Sequence, residues 1–247
     1  MTEQEQEYIE LVLQRDAMNQ EANRSYIEYM IEFGDRILHL EQLKTAYGEA
    51  QNRLQYCQNR TDAHQPIRQN EMDEAVDVVM ADARRHLDDL QERLEYCQKM
   101  PLTSKKHDAF VKETYAAYAR RIHPEIHPEL YPDEALNDAW KHLQACYLDN
   151  NFQGMEEVKE HLDPMLAEKP EPDHLQVDKL KSKMHGVHME IQLIKNHKPY
   201  QYKYILASEK DIDEKKQALD QEIAAYEKAI RRLERLMRIF PIDHTVS

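Results

Sequence analysis

Arg120-Arg121-Ile122-His123-Pro124-Glu125 is the stretch in which residues able to do chemistry are crowded against a chain stop. Two guanidiniums, an imidazole and a carboxylate within six residues could read a partner's surface, or simply end a helix rigidly. Proline disfavours helical geometry in the residue before it, so His123 ends a helix and the loop beyond it is rigid. A basic helix end beside a rigid loop suits recognition better than turnover. Other constellations are weaker. His123 and His127 stand four apart around Pro124 but lack the thiol pair or Glu-x-x-His companion of a metal site. Asp138, His142 and Cys146 on one helix could be acid, base and nucleophile. No glycine-built oxyanion site accompanies them, and Cys146 falls on an apolar face as a core residue. His185 and His188, near Glu190, flank an apolar seam and read as solvated. The expectation is a non-enzymatic protein with no cofactor and no metal.

The elements that position this stretch must be helices. Four glycines and ten prolines in 247 residues, with 32% charged residues, leave few turn formers, so the elements are few and long. A formal net charge of -14 disfavours nucleic acid, whose phosphates are bound by Lys and Arg, and no basic cluster large enough to override it stands out. The acidity keeps long helical surfaces soluble. Three distant cysteines, Cys57, Cys97 and Cys146, fit reduced thiols in the cytoplasm. The first residues, MTEQEQEYIE, lack a basic start and an apolar core, which predicts no secretory signal, and no apolar run is long enough for a membrane.

Apolar periodicity predicts an all-α fold in three consecutive parts. In residues 1–100, a helix over Glu5–Cys57 carries Tyr26, Met30, Phe33, Ile37, Leu40, Tyr47 and Leu54 as one stripe, with Gly34 marking a bend. Asn59 to Asn70 breaks it. A second helix, capped by Asn70 or Asp73, carries Val76, Met80, Leu87, Leu90 and Leu94 and folds back antiparallel. After a break at Met100-Pro101, residues 101–163 form a helical unit. Phe110, Val111, Tyr115, Tyr118 and Ile122 define the face of its first helix. Ile126, Leu130 and Tyr131 anchor the loop, Asp133 caps the next helix, and Leu136, Trp140, Leu143 and Tyr147 face one way on it. Pro170 and Pro172 mark a linker. Residues 164–247 form an antiparallel coiled-coil hairpin. Its seams are Val177, Leu180, Met184, Val187, Ile191 and Ile194, then Leu219, Ile223, Tyr226, Ile230, Leu233 and Met237, with tyrosines 200, 202 and 204 capping the tip.

Tyr115-Ala116-Ala117-Tyr118-Ala119-Arg120-Arg121-Ile122-His123-Pro124-Glu125 resembles helix II and the signature loop of a J domain, roughly Y-x-x-L-A-x-[KR]-[YI]-H-P-D. Leu136 to Tyr147 is similar to helix III, with Trp140 in the aromatic position and Cys146-Tyr147 in that of the later Ala-Tyr. The match covers about 50 residues. The flanks, Tyr147-Leu148-Asp149-Asn150-Asn151-Phe152 and the Asn196-His197-Lys198-Pro199-Tyr200 turn, resemble bacterial J-like proteins with a degenerate J unit inside coiled coils. The resemblance implies docking on a DnaK-type chaperone through Arg120, Arg121, His123, Pro124 and Glu125. The coiled-coil arms would then serve a protein client or a homo-oligomer, with no role in nucleic-acid or membrane binding. The alternative is a coiled-coil scaffold in which this unit is a spacer. Glu125 stands where the family has aspartate, moving the carboxylate by one methylene, a shift that bidentate geometry tolerates poorly. The short first helix of a full J domain has no counterpart, and the second N-terminal helix or the Pro101 region would take its packing place.

Overall fold

The computed structural model describes residues 1–100, 104–167 and 174–244. The expected break at Pro101 and the linker prolines 170 and 172 lie outside these residues. The fold is all-α. The helices are α1 (Glu3–Asp62), α2 (Gln69–Lys99), α3 (Lys105–Ile122), α4 (Glu134–Leu148), α5 (Phe152–Leu166), α6 (Leu180–Asn196), α7 (Tyr202–Leu206) and α8 (Glu209–Met237). Among the described residues the only strands are two-residue segments, β1 (Ile67–Arg68) and β2 (Ile242–Asp243), paired in parallel. No helix among them is long and apolar enough to cross a membrane.

Two compact units form, and neither is one consecutive stretch. The first comprises Met1–Glu28 with Met100–Ile205, the second Tyr29–Lys99 with Leu206–Ser247. The expected division at residues 100 and 163 is thereby regrouped, because α1 contributes its first part to one unit and the remainder to the other.

In the first unit, α3, α4 and α5 enclose a core of Val111, Tyr115, Ile122, Leu136, Trp140, Leu143, Met155 and Leu162. Tyr115 stacks on Tyr147 with centroids 3.7 Å apart. Asn151 caps α5 by accepting the Gly154 N–H at 3.0 Å. A β-carbon at Gly154 would stand 2.7 Å from both Cys146 Sγ and Asn151 Nδ2, so only glycine lets α5 approach α4 this closely. A second cluster joins Tyr8, Ile9, Val12, Met18 and Ala22 of α1 to Ile126, Val187, Ile191 and Tyr200. The α6 seam is therefore covered by α1. Glu5 meets Leu175, Arg15 meets Glu190 and Glu21 meets Lys203, so the later segment runs in the same direction as α1. Tyr200 is buried here, whereas Tyr204 is exposed.

In the second unit α2 folds back on α1. Gly34 lies against Leu94, Glu49 binds Arg84 and Arg53 binds Asp73, an antiparallel order. Gly34 marks a close approach inside one continuous helix, not a bend. Helix α2 begins at Gln69, so Asn70 and Asp73 lie inside it, and Asp73 accepts from the Gln69 side chain instead of capping. Helix α8 starts at Ser208, whose hydroxyl accepts the Asp211 N–H. Lys216 pairs with Glu32, Arg36 with Asp220 and Tyr47 with Tyr226, so α8 runs parallel to α1. The expected hairpin of α6 with α8 is corrected: the two seams belong to different units, and α1 covers both. A stripe of the right period reports that a face is buried, not which helix covers it.

Candidate functional site

Local signals place the loop as its residues dictate. Ser104 caps α3 at one end, and at the other the His123 N–H bonds Ala119 O at 3.0 Å as the backbone turns extended. Ile126 and His127 then donate to His123 O, at 3.0 and 2.7 Å, folding the loop tightly around Pro124. Ile126 is fully buried, and Tyr131 donates to Ile122 O. Asp133 caps α4 by accepting the Leu136 N–H at 3.2 Å.

The five residues expected to dock a partner lie together, but most of their bonding capacity is taken by the first part of α1. His123 is 3% exposed, its ring edge-on to Trp140 at 4.7 Å. Its Nδ1 accepts the Glu125 N–H at 3.1 Å, which puts the ring proton on Nε2, 3.2 Å from Asp16 Oδ2. Both nitrogens are thus used, and none is left to bind metal or take a proton from a substrate. Asp16 is buried and completes its coordination inside the protein. Oδ1 accepts Arg15 Nε and Nη2 at 3.1 and 2.9 Å, and Oδ2 also accepts the Tyr115 hydroxyl at 2.8 Å. Burial alone would raise the Asp16 pKa, but the His123 hydrogen bond and the Arg15 charge outweigh it, and the carboxyl titrates below its ordinary range. The Tyr115 phenol is pushed up by burial and by Asp16.

Arg15 has one more arm. Its Nη1 reaches Glu125 Oε1 at 2.6 Å and Glu190 Oε2 at 3.0 Å. The Tyr8 hydroxyl donates to Glu125 O at 3.2 Å, and burial, then the Glu125 charge, push that phenol up to about 12. Arg120 pairs with Glu10 at 2.7 Å, and Arg121 donates to Leu166 O at 2.9 Å. These two arginines line a surface groove of about 950 Å3 with Ile9, Phe110, Tyr118 and Lys159. Its cations are compensated there by Glu10 and by the Lys159–Asp163 pair. Gln20 and Asn23 donate to the Tyr147 and Leu148 carbonyls, both at 2.8 Å, satisfying the end of α4. The first part of α1 thus packs on both the loop and the end of α4, while the Pro101 region lies outside the described residues.

Comparison with family models, curated proteins and solved structures finds no match. The residues alone carry the functional reading.

Reasoning from sequence missed Tyr8, Glu10, Arg15 and Asp16. One signal was present: Ile9, Val12 and Asp16 stand three and four apart, placing an acid on an apolar face where only bonded partners make it tolerable. The other constellations separate. Cys146 is buried in the core with its thiol pushed up by burial, whereas His142 is exposed and Asp138 pairs with Lys141. His185 and His188 are exposed. His127 is buried, with Nε2 2.8 Å from Arg120 O and Nδ1 3.2 Å from Glu129, which ties the loop to the end of α3.

Proposed function

We propose that this protein is a non-enzymatic helical scaffold. Its J-like unit is a rigid packing module, and its long helices offer their outer faces to protein partners. One observation carries the reading: His123, the residue a chaperone would have to meet, is buried and bonded through both ring nitrogens to Asp16 and the Glu125 backbone. Releasing it would break a buried, charge-assisted cluster, which costs about 3–5 kcal/mol when one partner of such a pair is lost. A loop held this firmly serves as an internal clasp.

A second reading is favoured by a specific observation. The side chains of Arg120 and Glu125 remain 45% and 43% exposed, so the outer rim of the loop is open to a partner. In this reading the rim docks on a DnaK-type chaperone without His123. The test is the ATPase rate of such a chaperone with the full chain added, beside a J protein of known activity. The scaffold reading predicts no stimulation and no binding. Stimulation lost in Glu125→Ala, in a variant that keeps its wild-type melting temperature, overturns it in favour of docking.

A further inference from the structure

Helix α8 is the least well covered long helix of its unit. Of its six seam residues only Leu219 is buried, whereas Ile223, Tyr226, Ile230, Leu233 and Met237 are half-buried. Beside this seam lies an open groove of about 740 Å3. Its floor is small and apolar, with Ala225, Ala229 and Leu236 at steps of four and seven residues along one face, and Tyr47 of α1 forms the opposite wall. Lys228, Arg231, Arg232 and Arg235 form the rim, and among the described residues no carboxylate lines the groove. Arg231 has a long pair with Glu227 at 3.6 Å. Among the described residues the side chains of Lys228, Arg232, Arg235 and Arg238 take part in no hydrogen bond or ion pair. From residue 225 to 238 five cations face two carboxylates, in a chain of net charge -14. Half-covered apolar seam, alanine floor and uncompensated cationic rim together describe a seat for an acidic amphipathic helix.

The chain itself carries a helix of that kind. On the outer face of α2, Val78 and Val79 are 79% and 63% exposed. Asp82, Asp89 and Tyr96 follow Val78 at steps of four, seven and seven, on the same face, with Glu92 beside them. Asp82, Asp89 and Glu92 are all exposed; Arg85, which pairs with Asp82, and Arg93 lie among them, and with Asp88 the face keeps four carboxylates against two guanidiniums. Valines meeting Leu236 and Ile239, which is itself 73% exposed, and aspartates meeting Arg232 and Arg235, would pair like with like in polarity and opposite in charge.

We propose that the α8 groove of one copy receives the outer face of α2 from a second copy, so that the protein self-associates through this heterologous contact. Groove and ridge are different surfaces, so two copies either exchange the contact reciprocally, which makes the dimer interface isologous as a whole, or pass it on into a ring or an open chain. The proposal rests on the scaffold reading, to which it gives an occupant, and it does not involve the His123 loop.

Sedimentation velocity of the full chain across a concentration series, at low and at high salt, tests it. The expected result is reversible self-association that weakens as salt screens the rim. Arg232→Glu with Arg235→Glu is expected to weaken it roughly a hundredfold, about tenfold per reversed charge. Asp82→Arg with Asp89→Arg is expected to do the same. Mixing the two variants, each nearly monomeric alone, is expected to restore association, because reversed rim then meets reversed ridge. Both variants change exposed groups, and an unchanged melting temperature shows that each is folded. A chain that stays monomeric at every concentration and low salt overturns the proposal, as does self-association that neither variant alters. A monomer that binds anionic phosphatidylserine vesicles or duplex DNA through Arg232 and Arg235 also overturns it, and assigns the groove to a polyanion. None of these outcomes touches the scaffold reading, which stands or falls with the chaperone ATPase.

Discussion

The loop at His123 and the groove on α8 are both rich in charge, yet they are opposites. Around His123 the partners are internal: Arg15 divides itself among Asp16, Glu125 and Glu190, and Asp16 accepts from three side chains. Along α8, Lys228, Arg232 and Arg235 line an open groove with no described partner. A charge whose bonds are already made holds a fold together, while a charge left unmatched beside uncovered apolar surface is held for something outside. The stretch with the most suggestive residue order is thus the one most fully bonded within the fold. The proposed binding face lies on a helix whose sequence suggested only a coiled-coil seam.

Breaking the inner cluster tests the first half of this contrast. Asp16→Ala strands Arg15 and the ring of His123 in a buried place and should cost about 3–5 kcal/mol, read as a lowered urea midpoint. The same carboxylate should make the protein acid-sensitive. Its folded pKa is depressed, so its contribution is complete above the ordinary aspartate value, about 3.9, and is lost as pH falls through the lower folded value. Urea midpoints should fall across that acid range in the wild type, and the fall should be shallower in Asp16→Asn. Gly154→Ala comes next. Its added methyl meets Cys146 and the capping Asn151, so a loss of about 1–3 kcal/mol is expected in thermal melts, despite alanine's better helix propensity. Smallest is the effect of reversing Arg232 and Arg235. Neither side chain has a partner among the described residues, so stability should stay within about 0.5 kcal/mol.

Much of this architecture could be read from local chemistry. The stop at His123, the caps at Asp133 and Ser208, the breaks within Asn59 to Asn70 and after Asn196, and the buried faces of α3 and α4 all follow from proline, capping side chains and apolar spacing, although α1 runs on to Asp62. Tertiary choice could not be read this way. The seams of α6 and α8 have the right period for one another, yet each rests on α1, because stripes of similar width are interchangeable until charges such as Arg15 with Glu190 or Arg36 with Asp220 select a partner. The candidate site suffered from the same ambiguity. Arg120, Arg121 and Glu125 look equally available whether they face solvent or Glu10, Leu166 and Arg15 more than 40 residues away in the chain. The basic end of α8 was hidden by the acidic total, since net charge averages away a run of five cations.

The central claim is that Asp16 and His123 form one unit that locks the loop. A double-mutant cycle on unfolding free energy, with Asp16→Asn, His123→Gln and the double variant, measures that directly. The account predicts a coupling of about 1 kcal/mol or more, with the double variant losing clearly less than the sum of the singles. Additive losses, or a His123→Gln variant as stable as the wild type, would contradict it.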